Sequence, residues 1–449
     1  MTHAQQPVGT GTAAEATPSP VDQRLGWRIT LPMAAQHVVV MIAGPIATVF
    51  LIGGALHLHE SAVRALLCAT LLACGLGTIL QSVNLPGWTT LGARLPFVML
   101  PGGAAVVLFL QIATTSGPAT ASGAVILTAV LGLVLAPFAG RIVRFVPPVV
   151  IATMIVVIGV NLVKVAAGLI GDGDANPGVA AIGLAAATVG ATVLLQRVLP
   201  GGWRRASVLL GMAVGTALSA ATGHMTVRPS SGLLQLPELL PFGTPRFDLV
   251  AAAPLLIFGV ASMAEATGQT VLNAQVVGAR IDTGRTVGRV VRTDAVTSLF
   301  AGLLGGQTMI TSGENIGIVR ATGVRSRYVT ATAGLLLVAV AFFAPLGTLI
   351  ASLPAPVVGG TAAYVFAMIV VTGLRMFSSL DLADDRIFVT AVTGLTAGLL
   401  PIVGHELYQG FPQALRLVLS SGVTMSAVVG IAVAMVFASR RRGESHATG

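Results

Sequence analysis

The sequence predicts an all-α polytopic membrane protein with about fourteen transmembrane spans, arranged as a seven-plus-seven inverted repeat. Three observations lead to this class: an apolar composition, a one-sided distribution of basic residues and a repeated motif. Of the 449 residues, 54% are hydrophobic and only 9% are charged, and the mean hydropathy is +0.89. Soluble domains do not have this composition, so most of the chain is expected to lie in lipid.

The spans are the apolar segments that lie between charged or Gly/Pro-rich breaks. A full crossing needs roughly 20 residues, and several segments are shorter than that. The spans are predicted at 31–55, 61–83, 96–112, 120–140, 146–169, 178–198, 204–223, 249–272, 290–304, 308–320, 327–351, 356–377, 386–404 and 413–438. The polar stretches 1–26 and 439–449 are predicted to be cytoplasmic tails, the first of them disordered.

The basic residues give the orientation, because Lys and Arg favour cytoplasmic loops. On this map, 20 of the 25 basic residues fall on one side of the membrane. The exceptions are Arg64, Lys164, Arg228, Arg246 and Arg416. This asymmetry predicts an even number of spans and cytoplasmic termini. The net charge of +9 is therefore mainly a topology signal, and nucleic-acid binding is not expected.

A repeated motif relates the two halves of the chain. Residues 148–153 read PVVIAT at the start of the fifth span, and residues 356–361 read PVVGGT at the start of the twelfth. Seven spans separate the two copies, and because seven is odd the halves must cross the membrane in opposite senses. Secondary transporters have this plan, with their substrate near the midplane in corresponding Gly/Pro-interrupted spans.

Spans three and ten carry these interruptions, at 101–103 (PGG) and at 305–307 (GGQ) with 312–315 (SGEN). Each is predicted to form a short extended segment that leads into a half-helix. The N-terminal N–H groups of the half-helices would point into the site and favour an anionic or carbonyl-bearing ligand. Close helix packing is the alternative role for the glycines. It leaves the neighbouring carboxylate of Glu314 without an explanation.

Carboxylates at bilayer depth are candidates for function, since each costs roughly 2.5 to 3.5 kcal/mol to insert. Glu265 and Glu314 are predicted to lie deep in spans eight and ten, and Asp294 near an end of span nine. Gln269 follows Glu265 by four residues and shares its helical face, so the pair can bind a planar, N–H-rich heterocycle. Alternatively, Glu265 is protonated and forms a hydrogen bond to a neighbouring helix that serves only the structure. His37 either orients a neighbouring helix or touches substrate.

These residues resemble the nucleobase-ascorbate transporter family, also called nucleobase:cation symporter family 2, over residues 27–438. The tenth-span signature of that family is Gln or Glu, Asn-x-Gly, four residues, then Thr followed by Arg, Lys or Gly. It is met by Glu314, Asn315, Gly317, Thr322 and Gly323. Further matches are the Gln36-His37 pair, Glu265 in the eighth span and the Pro-Pro-Val-Val opening at Pro147.

The resemblance implies a core domain at 27–145 and 249–355 (spans 1–4 and 8–11) and a gate domain at 146–248 and 356–438. It implies a homodimer in which the core moves against the gate in an elevator-like motion, with a proton as the coupling ion and no cofactor. The implied base-binding residues are Glu265, Glu314, Gln269, Gly103, Ala104, Gly313, Asn315 and His37. Glu314, Glu265 or Asp294 would carry the proton.

Two departures from the family pattern bear on the substrate. Gly103 stands where similar uracil transporters have an aromatic side chain, which leaves room for a larger ring. Gln269 replaces a His of uracil-type and an Asp of xanthine-type members, and it cannot titrate. Glu314 resembles uracil permeases, whereas residues 322–328 resemble xanthine and urate permeases.

The sequence therefore predicts a multi-pass importer of nucleobases in the inner or plasma membrane, with xanthine-like purines slightly favoured over uracil. The alternative is an anion transporter or channel of the same fold, resembling sulfate permeases. An enzyme is not expected, because the sequence contains neither a metal-ligand cluster nor a nucleophile–base pair.

Overall fold

The computed structural model of the chain describes residues 19–83, 90–142, 147–171, 178–200, 204, 207–223, 232–312, 315, 318–319, 322–345, 352–411, 419 and 422–447. Within these residues every predicted span contains a helix or a strand with helical residues after it. Seven of the described helices are long and apolar enough to cross a membrane, and five shorter helices are also apolar. The chain is thus a multi-pass helical membrane protein.

The described residues of the first half form nine α-helices, one of them very short, and one strand. They are α1 (Trp27–Met41), α2 (Ala43–Ala55), α3 (Glu60–Ser82), β1 (Val98–Pro101), α4 (Gly103–Ser116), α5 (Pro118–Leu135), α6 (Ala139–Ile142), α7 (Pro148–Ile170), α8 (Val179–Val198) and α9 (Ser207–Ala221). Helices α5 and α7 begin at Pro118 and Pro148. Proline suits the first helical position because its missing N–H is not needed there.

The described residues of the second half form six further α-helices and one strand. They are α10 (Leu249–Val277), α11 (Thr283–Leu303), β2 (Met309–Ser312), α12 (Arg327–Ala341), α13 (Ala355–Phe377), α14 (Asp385–Val403) and α15 (Gly422–Ala447). Three of these helices start at an aspartate, Asp248, Asp282 or Asp384, whose side chain accepts hydrogen bonds from first-turn N–H groups. Helix α15 continues past residue 438, where the last span was predicted to end.

The two helices that begin at the repeated motif, α7 and α13, pack directly against each other. A Cβ placed on Gly159 would lie 2.7 Å from the backbone nitrogen of Val370, and one on Gly359 would lie 2.6 Å from that of Ile170. Later residues of α7 therefore meet earlier residues of α13, so the helices run antiparallel. Only glycine allows backbones this close. The contact between repeat-related helices fits the inverted repeat.

The remaining packing forms two groups of elements. Helices α7–α9 and α13–α15 pack mainly with one another, and α1–α5, α10–α12 and the two strands form the other group. Helix α2 contacts α13, and α10 contacts α15, so the groups touch along these helices. The assignment of the groups as gate and core stays a prediction.

Two of the predicted spans differ from the structure. The first span consists of two helices, α1 and α2, instead of one. Helix α11 begins at Thr283, seven residues before the predicted start, because the Asp282 side chain accepts from the N–H of Arg285 and starts the helix there. Asp294 consequently lies in the middle of α11 and not near an end.

The predicted disordered tail is also too long. Pro20–Asp22 form a short 3₁₀ helix, and Val21 is only 3% exposed in an apolar cluster. Asp22 Oδ1 accepts from Arg327 Nε at 2.6 Å, and the Arg327 side chain is itself buried. Val21, the two ion pairs of Asp22 with Arg327 and Arg94, and a hydrogen bond from Ser326 to the carbonyl of Gln23 hold this segment on the protein. These contacts are too few and too distant in sequence to be recognised from hydropathy.

Candidate functional site

The centre of the candidate site is an antiparallel pair of short strands, β1 and β2. Val98 pairs with Ser312 and Pro101 with Met309. This confirms the extended segments predicted for spans three and ten. An isolated two-stranded sheet leaves backbone groups unpaired, which is costly away from water. Polar side chains of the neighbouring helices must therefore meet part of that demand.

Two hydroxyl groups do so at equivalent places. Thr78 Oγ1 on α3 accepts from the N–H of Met99 at 3.0 Å. Ser298 Oγ on α11 accepts from the N–H of Met309 at 2.9 Å. Helices α3 and α11 belong to spans two and nine, which the inverted repeat relates to each other. Each half thus secures its strand with a hydroxyl from the preceding helix.

Helix α4 starts at the beginning of β2. The N–H of Gly102 donates to the carbonyl of Thr308 at 3.1 Å, and α4 begins at the next residue, Gly103. A Cβ on Gly103 would lie 3.0 Å from Ile369 Cδ1 of α13, so Gly103 faces the other group of helices. Ala104 is partly buried against the main apolar cluster. The free N–H groups of this helix start carry partial positive charge.

Asn315 starts the helical turn that follows β2. Its carbonyl accepts from the N–H groups of Ile318 and Val319 at 2.9 and 3.0 Å. Its side-chain Nδ2 donates to the carbonyl of Pro96 at 2.5 Å, and Asn273 Nδ2 of α10 donates to the same carbonyl at 3.1 Å. This second helix start therefore lies at the opposite end of the strand pair from α4. The predicted site residues Gly313 and Glu314 lie outside the described residues.

The two asparagines leave acceptors behind. Both nitrogens are used on Pro96, and within the described part of the chain Oδ1 of Asn273 and Oδ1 of Asn315 have no protein hydrogen-bond partner. The residues are 1% and 0% exposed. A buried acceptor without a partner costs about 1 to 3 kcal/mol, so a ligand or water is expected to meet it. The amide orientations follow from the hydrogen bonds to Pro96.

Glu265 and Gln269 lie together on α10, as their spacing predicts. Gln269 Nε2 donates to Glu265 Oε1 at 3.4 Å, and both residues are partly buried. Helix α10 packs against α4, α5, α11 and β2. The pair is therefore on an element that contacts both the α4 segment and the second strand.

Asp294 belongs to a hydrogen-bonded network that the sequence did not reveal. Its Oδ1 accepts from Thr311 Oγ1 at 2.5 Å and from Gln81 Nε2 at 3.1 Å. Gln81 Nε2 also lies 2.7 Å from Thr311 Oγ1. Glu265 interacts electrostatically with Asp294 across the α10–α11 contact. A carboxylate and a carboxamide from spans nine and two thus meet at β2.

Gln81 was missed although a signal was available. It is a fully buried carboxamide near the end of the apolar helix α3. The reasoning that selected Glu265 from its apolar surroundings applies to Gln81 as well. His37 is buried on α1, which packs chiefly against α12, and its contact with substrate stays a prediction. In the described part of the chain no three His, Cys, Asp or Glu side chains form a metal-binding group.

Known proteins with similar sequences are permeases. The uric acid permease PucJ of Bacillus subtilis (strain 168) is 29% identical, over 92% of this chain and 93% of its own length. The xanthine permease of the same organism is 27% identical, over 92% and 95%. The uracil permease of Bacillus caldolyticus is 28% identical, over 93% of each chain.

Solved structures share the fold at low sequence identity. The murine Slc26a9 anion transporter in its inward-facing state matches with a TM-score of 0.65 at 11% identity, over 97% of this chain and 74% of that one. The transmembrane domain of the cyanobacterial bicarbonate transporter BicA matches with a TM-score of 0.57 at 18% identity, over 92% and 99%. These matches support the inverted-repeat fold predicted for the chain.

The family model that matches this chain is described as the Permease family, and it covers residues 28–407. This range contains both strands, α10, α11 and every described residue of the candidate site. The sequence resemblance is therefore confirmed. The chain is a transporter and not an enzyme, and it belongs to the nucleobase-ascorbate, or xanthine–uracil, permease family.

Proposed function

We propose that this chain is a proton-coupled nucleobase importer that prefers an oxidised purine of the xanthine or urate type. The Glu265–Gln269 pair, on a helix that packs against α4 and β2, is the observation that carries the proposal. The similar uric acid, xanthine and uracil permeases support the same substrate class.

The chemistry of the pair suits a heterocycle whose edge alternates donors and acceptors. The carboxylate of Glu265 accepts ring N–H groups, and the carboxamide of Gln269 donates to a ring carbonyl. The N–H groups at the start of α4 add donors for a second carbonyl or for the negative charge of a urate anion. Oxidised purines offer several such N–H and carbonyl groups in one plane. Uracil offers fewer of them.

Coupling in this proposal runs through acidic residues near β2. Glu265 and Asp294 are the described candidates for carrying the proton, and Glu314 is the third. The elevator motion would move the α1–α5 and α10–α12 group against the other helices. A homodimer and cytoplasmic termini complete the proposal. Chemical crosslinking in the membrane and accessibility labelling of single-cysteine variants at the two termini test these last points.

The anion-transporter alternative rests on fold alone. Slc26a9 and BicA are only 11% and 18% identical to this chain, whereas the permeases in sequence comparison reach 29%. No residue described here favours an inorganic anion over a base. Sulfate and bicarbonate therefore serve as competitors in the uptake assay.

The test is competition in proteoliposomes. Uptake of labelled xanthine and labelled uracil is measured against unlabelled xanthine, urate, uracil, sulfate and bicarbonate. We expect xanthine and urate to compete best and the inorganic anions not to compete. If neither labelled base is taken up above the level of empty liposomes, or if sulfate or bicarbonate competes as well as xanthine, the proposal fails.

Glu265→Gln tests the role of the carboxylate. The change replaces one acceptor oxygen with a donor, so base binding should weaken by about 1.5 to 3 kcal/mol, roughly 10-fold to 150-fold. Glu60→Gln is the matched control, because Glu60 is a helical carboxylate paired with Arg64 at the start of α3. Normal xanthine affinity in Glu265→Gln would remove Glu265 from the binding site.

A further inference from the structure

A small cavity with a mixed polar and apolar lining lies between α5, α10, α11 and the residues that enter β2. It has a volume of about 30 Å³. Its polar lining consists of Thr128, Ser262, Asp294, Ser298 and Thr308, and we call it the Asp294 cavity. One water molecule needs about 10 to 15 Å³ of such volume, so the cavity has room for about two water molecules.

The polar groups around the cavity call for a hydrogen-bonding occupant. Within the described residues the hydroxyl of Thr308 has no partner, although this residue is only 6% exposed. The hydroxyls of Thr128 and Ser262 donate to carbonyls of their own helices, at 2.8 and 2.9 Å. Their oxygens therefore remain available as acceptors. Water is the occupant that meets a donor and several acceptors in a space of this size.

The cavity is on a different face of α10 from the proposed base-binding pair. The cavity-lining residues of α10 are Gly259, Ser262, Met263 and Ala266, which follow one another at helical spacing. At about 100° per residue, Glu265 projects roughly a third of a turn and Gln269 about a fifth of a turn away from the centre of that face. The cavity and the base-binding pair therefore lie on adjacent faces of α10.

Asp294 borders both regions. Its Oδ1 receives hydrogen bonds from Gln81 and Thr311 on the strand side, and the residue also lines the cavity. Helix α10 contributes the charged group that interacts with it, Glu265, while α3 and β2 contribute these neutral partners. Its own helix carries Arg292 two residues before it and Arg289 five residues before it.

We infer that the Asp294 cavity is a hydrated chamber that delivers protons to Asp294 by a route separate from the base. In the loading step a hydronium ion in the chamber transfers a proton to a carboxylate oxygen of Asp294. One O–H bond forms, one breaks, and a neutral water remains. This inference rests on the proposed proton coupling, but the presence of water is independent of it.

Radiolytic hydroxyl-radical labelling of the wild-type protein tests for the water directly. Met263 and Met309 line the cavity and are only 3% and 1% exposed. Radiolysis of a bound water produces the radical in place and oxidises an adjacent methionine to its sulfoxide. Met41 and Met154 are as buried and do not line the cavity. We expect at least fivefold more oxidation at the first two, and equally low labelling of all four would overturn the inference.

Filling the chamber tests its function. Ala129 lines the cavity, and Ala129→Val adds two methyl groups there. Ala121→Val is the matched control, because Ala121 is buried on the same helix and does not line the cavity. In Ala129→Val, methionine labelling should fall to the background level. Xanthine uptake driven by an inward proton gradient should fall at least 10-fold, while xanthine exchange at equal pH stays within twofold of wild type.

Thr308→Val is a second variant that changes hydrogen bonding at nearly constant volume. Thr70→Val is its control, since the Thr70 hydroxyl is also buried without a partner in the described protein but does not line the cavity. Thr308→Val should lower gradient-driven xanthine uptake and leave xanthine exchange nearly unchanged, whereas Thr70→Val should change neither. The inference would be overturned if Ala129→Val lost the methionine labelling but kept wild-type gradient-driven uptake. It would also be overturned if Ala129→Val and Thr308→Val lost xanthine exchange as strongly as gradient-driven uptake. Absence of base exchange in wild type would instead reject the proposed function.

Discussion

Gly103 is the position where a single methyl group tests the contact between the two groups of helices. In Gly103→Ala the new carbon would lie 3.0 Å from Ile369 Cδ1, whereas carbon atoms in contact are usually about 3.5 to 4.0 Å apart. The end of the isoleucine side chain must move by several tenths of an ångström. Overpacking typically costs 1 to 3 kcal/mol. Because only a terminal methyl has to move, we expect about 1 kcal/mol.

A cost of about 1 kcal/mol corresponds to roughly fivefold slower uptake if the contact forms in the rate-limiting state. The assay is the initial rate of labelled xanthine uptake in proteoliposomes, with the thermal midpoint of the purified protein measured alongside. Ile369→Val removes Cδ1, so the double variant should recover most of the loss. Gly190→Ala is the control, because a Cβ at Gly190 meets no atom within 4 Å.

The double variant makes the reasoning refutable. If Ile369→Val fails to restore uptake to Gly103→Ala, the loss does not come from this contact. A wild-type rate in Gly103→Ala itself would show that the two groups of helices are farther apart during transport. A slow Gly190→Ala protein would mean that uptake responds to any added methyl group.

Two further predictions concern polar contacts. Thr311→Val removes the hydroxyl that donates to Asp294, and a hydrogen bond to a charged group contributes about 1.5 to 3 kcal/mol. We therefore expect at least 10-fold slower xanthine uptake at near-normal expression. A wild-type uptake rate would show that transport does not depend on this hydrogen bond. Asp22→Ala leaves the buried guanidinium of Arg327 without its carboxylate, so the thermal midpoint should fall by several degrees. Glu60→Ala, at a partly exposed pair near the start of α3, should change it less. Equal midpoints for these last two variants would contradict the buried ion pair.

Hydropathy and spacing were sufficient for much of the fold and part of the site. Spans three and ten were correctly predicted to contain extended segments, because Pro101 with its neighbouring glycines in span three, and the glycines in span ten, disfavour a continuous helix there. The i,i+4 spacing placed Glu265 and Gln269 on one face, and the structure shows them hydrogen-bonded. These features depend on local geometry, which a single sequence contains.

Long-range partners were beyond this reasoning. Gln81 and Asp294 are 213 positions apart, and only the fold brings their side chains to the same strand. Asp294 was predicted near an end of span nine, yet the Asp282 cap starts α11 seven residues before the predicted span. The ordering of residues 19–26 depends on Val21 and Asp22 meeting partners far away in sequence. No local pattern encodes such contacts.

The antiparallel crossing of α7 and α13 links the evolution of the two halves. A Cβ on Gly373 would lie 2.9 Å from the backbone nitrogen of Val156, and Gly159 meets Val370 in the same way. A larger residue at either glycine therefore requires a shift of the partner helix, and that helix belongs to the other repeat. Substitutions at 156 and 373, and at 159 and 370, should arise as compensating pairs. At this contact, a substitution in one repeat is therefore expected to require a matching substitution in the other.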